Sequence, residues 1–408
     1  MKQVFILHCS SKLSFNFDVS MIYQPNKYEL HLIVNTSSYD LITLNQQDKF
    51  YKSVLITDIF TVATLTEYIK SNINPSDEIN VITNSEETIP ICGQIRRQLN
   101  IAPCNYSRFY DKNVMKQLLK NHPYVLTPNY VLFDTYQYNM GGDRYLKALI
   151  SQLNMPLFCK PTQMYSAIGA AKINNFEELS HWASKISDKC IYEIDEFIEG
   201  KMFHVDSLIK RHNILFSLVC PNSKPCFNFN LGEMKGTIVL PEQDPENRTL
   251  AQATSSVLKQ LGMPSGGVTH MEFIQDNTGK LYFVEVAHRT PGCLIPDMHL
   301  AHTGINFTAA HYLLQIDQDY LPIRRCVTYA AWACYPKIPG KLTALHKLPN
   351  TLSSSCKLNW LYKVGEIFST YPTLGRDYIG TVFMVNDNFE ELLKEFYEIS
   401  NLNLTVIT

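Results

Sequence analysis

The stretch Gly266–Gly292, GGVTHMEFIQDNTGKLYFVEVAHRTPG, decides how the rest of the chain is read. Two alternating runs, His270 to Ile274 and Leu281 to Ala287, flank Asp276-Asn277-Thr278-Gly279, the turn chemistry of a short antiparallel hairpin. A turn centred between Thr278 and Gly279 sets Glu272 directly opposite Glu285, and Met271 and Phe273 opposite Val286 and Val284 on the other face. One face is then core and the other carries two carboxylates. Like charges opposed across a strand pair repel, so the pair calls for a cation, and hard oxygen donors at this separation suit Mg²⁺. Arg289 keeps the parity of Glu285 and is placed to meet an anionic group beside such an ion. The following Thr290-Pro291-Gly292 is a turn, and strand ends that run into turns commonly deliver side chains to sites. The same residues also fit a solvated hairpin whose outer face happens to carry two glutamates.

Upstream of the hairpin, residues 151 to 195 read as a compact unit. It has strands Pro156 to Lys160, Ala170 to Ile173 and Cys190 to Ile194, with a helix Phe176 to Ile186 that Asn174 or Asn175 can cap. Lys160 closes an otherwise apolar strand, so it either snorkels to water or meets an anion. Residues 1 to 107 alternate apolar strands (Val4 to Leu7, Glu29 to Val34, Ser53 to Ile56, Ile79 to Ile82) with helical segments, the order of a mainly parallel α/β layer. After its first strand stands His8-Cys9-Ser10-Ser11-Lys12 rather than Gly-x-Gly-x-x-Gly, which disfavours a dinucleotide site there. Residues 108 to 150 read as a helical connection, including Asn113 to Lys120. Residues 196 to 320 supply strands Met202 to Ile209 and Ile214 to Cys220, a helix Leu250 to Leu261, the glutamate hairpin and a helix Asn306 to Gln315. Residues 321 to 408 read as β-rich, with strands Cys326 to Cys334, Gly340 to Lys347 and Tyr378 to Val385 before a helix Asn388 to Ile399.

The totals set bounds. A chain of 408 residues with 45% hydrophobic and 18% charged residues is that of an ordinary multidomain globular protein. Lys+Arg 36 against Asp+Glu 38, with no dense basic run, argues against a nucleic-acid partner. The apolar runs are strand-sized, so neither a membrane span nor a signal segment is expected, and the cytoplasm is the expected location. The 11 cysteines lack any Cys-x-x-Cys pair and read as reduced core residues, Cys159, Cys220 and Cys293 included.

The order Asp111-Lys112, Lys160, Tyr192-Glu193-Ile194-Asp195-Glu196-Phe197-Ile198-Glu199-Gly200, His270-x-Glu272 and Glu285-x-x-x-Arg289 resembles the ATP-grasp superfamily. Within it, Val284-Glu285-Val286-Ala287-His288-Arg289-Thr290-Pro291-Gly292 is most similar to the branch of L-amino acid ligases and carnosine synthase. The resemblance implies a fold of α/β and α+β units. A Rossmann-like domain (1–107) would precede a helical connection and start of the ATP-grasp fold (108–150), a small lid (151–195), a large metal-bearing subdomain (196–320) and a C-terminal β-rich subdomain (321–408). It also implies ATP between lid and large sheet, with Lys112, Lys160 and Ser166 toward the phosphates. Glu193 and the segment Asp195, Glu196, Phe197, Ile198 and Glu199 would lie toward the nucleoside, the adenine edge being met mainly by backbone groups. Glu272 and Glu285 would hold Mg²⁺, with Mn²⁺ as a substitute, and Arg289 would stabilise the acyl-phosphate and the adduct formed when an amine attacks.

The implied activity is an ADP-forming ligase joining a small carboxylate, in the first instance an amino acid or small peptide, to an amine. A homodimer is compatible with this reading. Rival readings are ATP-dependent chemistry on another small carboxylate or bicarbonate, and a silent nucleotide-binding scaffold. The scaffold is suggested by the glycine-poor loop Thr162 to Gly169. Other departures from the family pattern are Ala287, where many members carry a metal-binding Asn, and Met202, where several carry a ribose-binding acid that Glu199 could replace. His270 and His288 are candidate general bases, although each is more simply a structural histidine.

Overall fold

The computed structural model describes residues 1–9, 18–39, 48–101, 106–165, 167–186, 190–317, 319–324, 328–373 and 377–408. The first sheet has the order Ser53–Ile56, Tyr28–Val34, Lys2–His8, Glu78–Thr83, and all its neighbours are parallel. Its strands are nearly all apolar because both faces are covered. Alternate residues of the first strand divide between two cores. Val4 and Ile6 pack with Tyr312 and Ile316 of the helix Phe307–Ile316, and Phe5 and Leu7 pack with Leu65, Ile69 and Ile95 of the helices Val62–Ser71 and Ile89–Gln98.

The lid is an antiparallel sheet of Tyr130–Phe133, Tyr192–Glu196, Leu157–Pro161 and Ala171–Ile173. Its core joins Phe133 and Leu146 to Leu157, Ile194 and Trp182, so the compact unit takes in the helix Thr135–Leu149 and starts well before residue 151. Asn175 caps the helix Phe176–Ala183 by accepting from the Glu178 amide at 2.9 Å.

The large sheet runs Asn213–Pro221, Gly200–Lys210, Gly266–Asp276, Leu281–Ala287, antiparallel throughout. Phe203, Val205 and Ile209 face a core built with the helix Pro245–Leu261, while Leu208 joins the core on the opposite face. Arg211 and His212 both adopt positive φ (48° and 59°) at the tip joining the first two strands, the geometry of a tight two-residue hairpin turn. The C-terminal sheet, Lys235–Ile238, Tyr329–Pro336, Tyr378–Asn386, Ser355–Trp360, takes its edge strand from the middle of the chain, so the section after residue 321 does not close on itself. The helix Phe389–Asn401 covers one face of it. The expected start of the strand at Cys326 lies outside the described residues. No helix among the described residues is long and apolar enough to cross a membrane.

Candidate active site

Glu272 stands directly opposite Glu285, and Met271 opposite Val286, as the alternation requires. Beyond that pair the register shifts, and Phe273 opposes Phe283 rather than Val284. Packing explains this bulge. Phe273 and Phe283 are both fully buried, with ring centroids 6.2 Å apart, and the extra residue lets both aromatic rings enter the same core. Val284 and Glu285 consequently both line the cavity on the other face. The turn itself is held by Asp276, which accepts from the amides of Thr278 and Lys280, and by Gly279 at φ 84°.

The cavity measures about 870 Å³ and lies between the lid, the large sheet and the ends of the first and C-terminal sheets. Ten of the twelve expected residues line it: Lys112, Lys160, Asp195, Glu196, Phe197, Ile198, Glu199, Glu272, Glu285 and Arg289. Ser166 lies outside the described residues. Glu193 is a correction. It is fully buried beneath the wall of the cavity, where Lys116 Nζ is 2.9 Å and Lys160 Nζ 3.4 Å from its Oε1.

Lys116 was missed by sequence reasoning, although it sits four residues after Lys112 on the helix Lys112–Leu118 and so on the same face. Its ammonium is buried 2.6 Å from Asp195 Oδ1, and Lys160 stands 3.2 Å from Asp195 Oδ2. Two acids and two lysines therefore form one buried group, and Lys160 neither snorkels nor stands isolated. Burial opposes its charge, but Asp195 and Glu193 more than offset this and raise its pKa above the ordinary lysine value.

Lys112 Nζ lies 2.8 Å from Glu285 Oε2 and also donates to the Met164 carbonyl of the loop under the lid. Burial raises the Glu285 pKa, yet Lys112, Lys160 and Arg289 together bring it below the usual carboxylate range. Glu285 is therefore an anion, and Lys112 supplies part of the positive charge that two opposed acids demand. The donors themselves suit a divalent ion: two hard carboxylates on adjacent strands with the cavity in front of them. Arg289 Nε donates to Glu86 Oε2 at 2.6 Å and Nη1 to the Thr290 carbonyl at 2.8 Å. A residue of the first domain thus fixes the arginine.

The segment expected to meet the adenine edge has part of its backbone already engaged. The amides of Glu196 and Phe197 already donate to the Asn129 and Pro156 carbonyls, each at 2.9 Å, and the Glu196 carboxylate accepts from Asn129 and Asn154. What the segment presents to the cavity is chiefly an apolar wall, in which Phe197 and Phe158 lie 6.1 Å apart and Phe158 meets Phe227 at 5.1 Å. Gly200 follows because a Cβ there would stand 2.1 Å from the Gln275 carbonyl oxygen of the neighbouring strand.

A second polar group missed in the sequence lies behind the glutamates. Asp206 accepts from His204 Nδ1 (2.8 Å), His270 Nδ1 (2.6 Å) and His299 Nε2 (2.7 Å). His204 and Asp206 alternate along one strand, so both point to the cavity side, and that period of two was the available signal. Burial opposes ionisation of Asp206, but His204 and His270 outweigh it and hold the carboxyl well below its usual range. Burial also opposes charge on His270, and Asp206 reverses that, raising its pKa to about 9. Such a histidine keeps its proton at neutral pH and is unsuited to act as the general base. Donor atoms of His204, Asp206 and His270 lie within 4.8 Å of one another, a closeness that their hydrogen bonds account for. His288 is structural: its Nε2 bonds the Gly266 carbonyl at 2.8 Å, and burial lowers its pKa to about 4. Cys159 and Cys220 are free core thiols, whereas Cys293 lines the cavity at φ 56°.

Comparisons with known proteins agree with this architecture. No family model matches the chain. D-alanine–D-alanine ligase of Natranaerobius thermophilus is 34% identical over 101 residues, 24% of this chain and 27% of that ligase, so the likeness spans about a quarter of the relative. An L-amino acid ligase from Bacillus licheniformis superposes with a TM-score of 0.72 at 18% identity, over 100% of this chain and 98% of its own. N5-carboxyaminoimidazole ribonucleotide synthetase from Thermotoga maritima follows with a TM-score of 0.62 at 13% identity, over 100% of both chains. These structures share the ATP-grasp fold, and so does this chain over its whole length, as the ordered motifs had implied.

Proposed function

We propose that this ATP-grasp chain is an ADP-forming ligase that activates a small carboxylate, in the first instance that of an amino acid or small peptide, and joins it to an amine. The observation that carries the reading is the opposition of Glu272 and Glu285 in a cavity where Lys112, Lys160 and Arg289 also meet. ATP lies with its base against Phe197, Ile198 and Phe158 and its phosphates toward Lys160 and Lys112. Glu272 and Glu285 would hold Mg²⁺, which would neutralise phosphate charge. The acid's carboxylate oxygen attacks the γ-phosphorus, the bond to ADP breaks, and an acyl-phosphate forms. The amine then adds to its carbonyl, and loss of inorganic phosphate and a proton gives the amide. Arg289, anchored by Glu86, offers fixed donors to the oxygen that gathers charge in that adduct. Lys112 exchanges Glu285 for phosphate as ATP arrives, which a mobile point charge can do.

The test uses purified full-length protein with Mg-ATP and amino acids offered singly and in pairs, and follows phosphate release and product mass. Release that requires both an acid and an amine supports the reading. ATP binding without turnover across a broad panel overturns it in favour of a nucleotide-binding scaffold.

A further inference from the structure

Lys235 opens the strand Lys235–Ile238 and lines the cavity. The other cations grouped around the glutamates each have an acid: Lys112 has Glu285 at 2.8 Å, Lys160 has Asp195 at 3.2 Å, and Arg289 has Glu86 at 2.6 Å. Lys172 is exposed on the lid, with its Nζ 4.1 Å from the Phe197 ring centroid. Among the described residues no carboxylate lies within 4.0 Å of Lys235 Nζ, which stands 4.6 Å from the Phe229 ring centroid. The nearest acid in sequence, Glu233, is taken by Lys224 at 2.6 Å and Asn228 at 3.1 Å. The surroundings of Lys235 are otherwise apolar or soft: Cys226, Cys293, Trp332 and Tyr378 line the same cavity.

Burial opposes the Lys235 charge, and although Cys293, Cys334, Cys226 and the more distant Glu272 together raise its pKa above the ordinary lysine value, no acid meets the ammonium directly. A divalent ion on Glu272 and Glu285 would add further positive charge to the cavity. Both facts call for an anion at Lys235, and the activated carboxylate cannot supply it, because that group must sit with the phosphates beside Lys112 and Lys160.

We propose that Lys235 holds a second, unreacting carboxylate of the substrate pair. This rests on the ligase reading above and narrows it: one of the two substrates carries an additional carboxylate. It is either the α-carboxylate of an amino acid serving as the amine, or the distal carboxylate of a dicarboxylic acid. The aromatic and thiol walls suit a short apolar stem between that group and the reacting atom.

Calorimetric titration of the full chain, with and without Mg-ADP, reads this subsite without turnover. One arm compares L-alanine and L-phenylalanine with their amides, and the other compares succinate with succinamate. In the wild type an acid should bind about tenfold to about a hundredfold more tightly than its amide in one arm, the span for a charge-assisted contact. Lys235→Met should remove that gap and Lys235→Arg should keep part of it, with circular dichroism confirming that each variant is folded. A gap confined to the amino-acid arm assigns the amine substrate's carboxylate, and one confined to the succinate arm assigns the acid's. No gap in either arm for the wild type, including no binding at all, overturns the proposal, as does a gap that survives in Lys235→Met. Phosphate release is scored separately: release with no gap removes the subsite and leaves the ligase, and a gap without release does the reverse.

Discussion

Replacing Lys116 with methionine tests the buried charge group beneath the cavity. The lysine is 2% exposed, and its ammonium sits 2.9 Å from Glu193 and 2.6 Å from Asp195. Methionine has nearly the same length and leaves little void, so the cost is electrostatic. One cation, Lys160, would then face two buried carboxylates, at 3.4 Å and 3.2 Å. Neither Glu193 oxygen makes a directional hydrogen bond, so that carboxylate depends on the lysines for compensation. Breaking such a buried pair from one side costs about 3–5 kcal/mol. Adding Glu193→Gln should recover most of that loss, because one acid and one lysine then remain, and a double-mutant cycle isolates the coupling. Trp182 lies in the lid core, which makes tryptophan fluorescence in a urea titration a reporter on this region. A second consequence follows for the nucleotide: Lys160 should be drawn into its carboxylates, and Mg-ATP affinity should fall in the single variant and recover in the double. A single variant within about 1 kcal/mol of wild type, or a double variant no more stable than the single, would refute the reasoning.

Three further outcomes are expected. Glu285→Gln should keep the fold, judged by circular dichroism melting, and lower turnover about a hundredfold or more, since metal ligation is worth several kcal/mol in a phosphoryl-transfer transition state. Stability should fall on acidification below about pH 6.5, because burial holds His31 and His288 to a pKa of about 4 and His8 and His311 to about 3. The sign follows from proton count: below 6.5 the unfolded chain binds protons that the folded chain refuses at these four histidines, so their contribution is full above that pH and is lost toward 4, at roughly 1.4 kcal/mol per pH unit per histidine, read as urea midpoints across pH, whereas His270, raised to about 9, contributes below 6.5 and loses that contribution as pH rises toward 9. Gly267→Ala should destabilise by roughly 1–3 kcal/mol, because φ is 111° there and a Cβ would lie 2.7 Å from His288 Nε2, which a shifted urea midpoint at constant slope would register.

Much of the fold was legible in the sequence because its signals are periodic and local. The alternation of 270–274 and 281–287 about Asp276–Gly279 gave the hairpin and the Glu272–Glu285 pair, and the apolar runs of the first domain gave its parallel strands. What escaped was decided by packing at a distance. The bulge beside Glu272 answers to two phenylalanine rings sharing one core, which no local pattern announces. Glu193 looks like a lining residue in its motif and proves to be a buried counter-charge, because its destination depends on Lys116 some eighty positions earlier. Asp206 with His204 is buried polar chemistry on an apolar strand, readable as a period of two but not as a network, since His299 comes from a different element. The edge strand Lys235–Ile238 joins a sheet whose other members lie about a hundred residues downstream.

The clamp on Arg289 bears on how far this protein is modular. Glu86 grips the guanidinium, and Asn84 exchanges hydrogen bonds with Thr290 at 2.8 Å in each direction, so the leading α/β domain supplies part of the site's wall. Chimeras that graft this domain from a distant homologue should therefore be judged by whether an acid returns at the position of Glu86. A graft that folds well but lacks it would leave the arginine free to swing, and the resulting loss would resemble a poor active site while originating in a seam between parts.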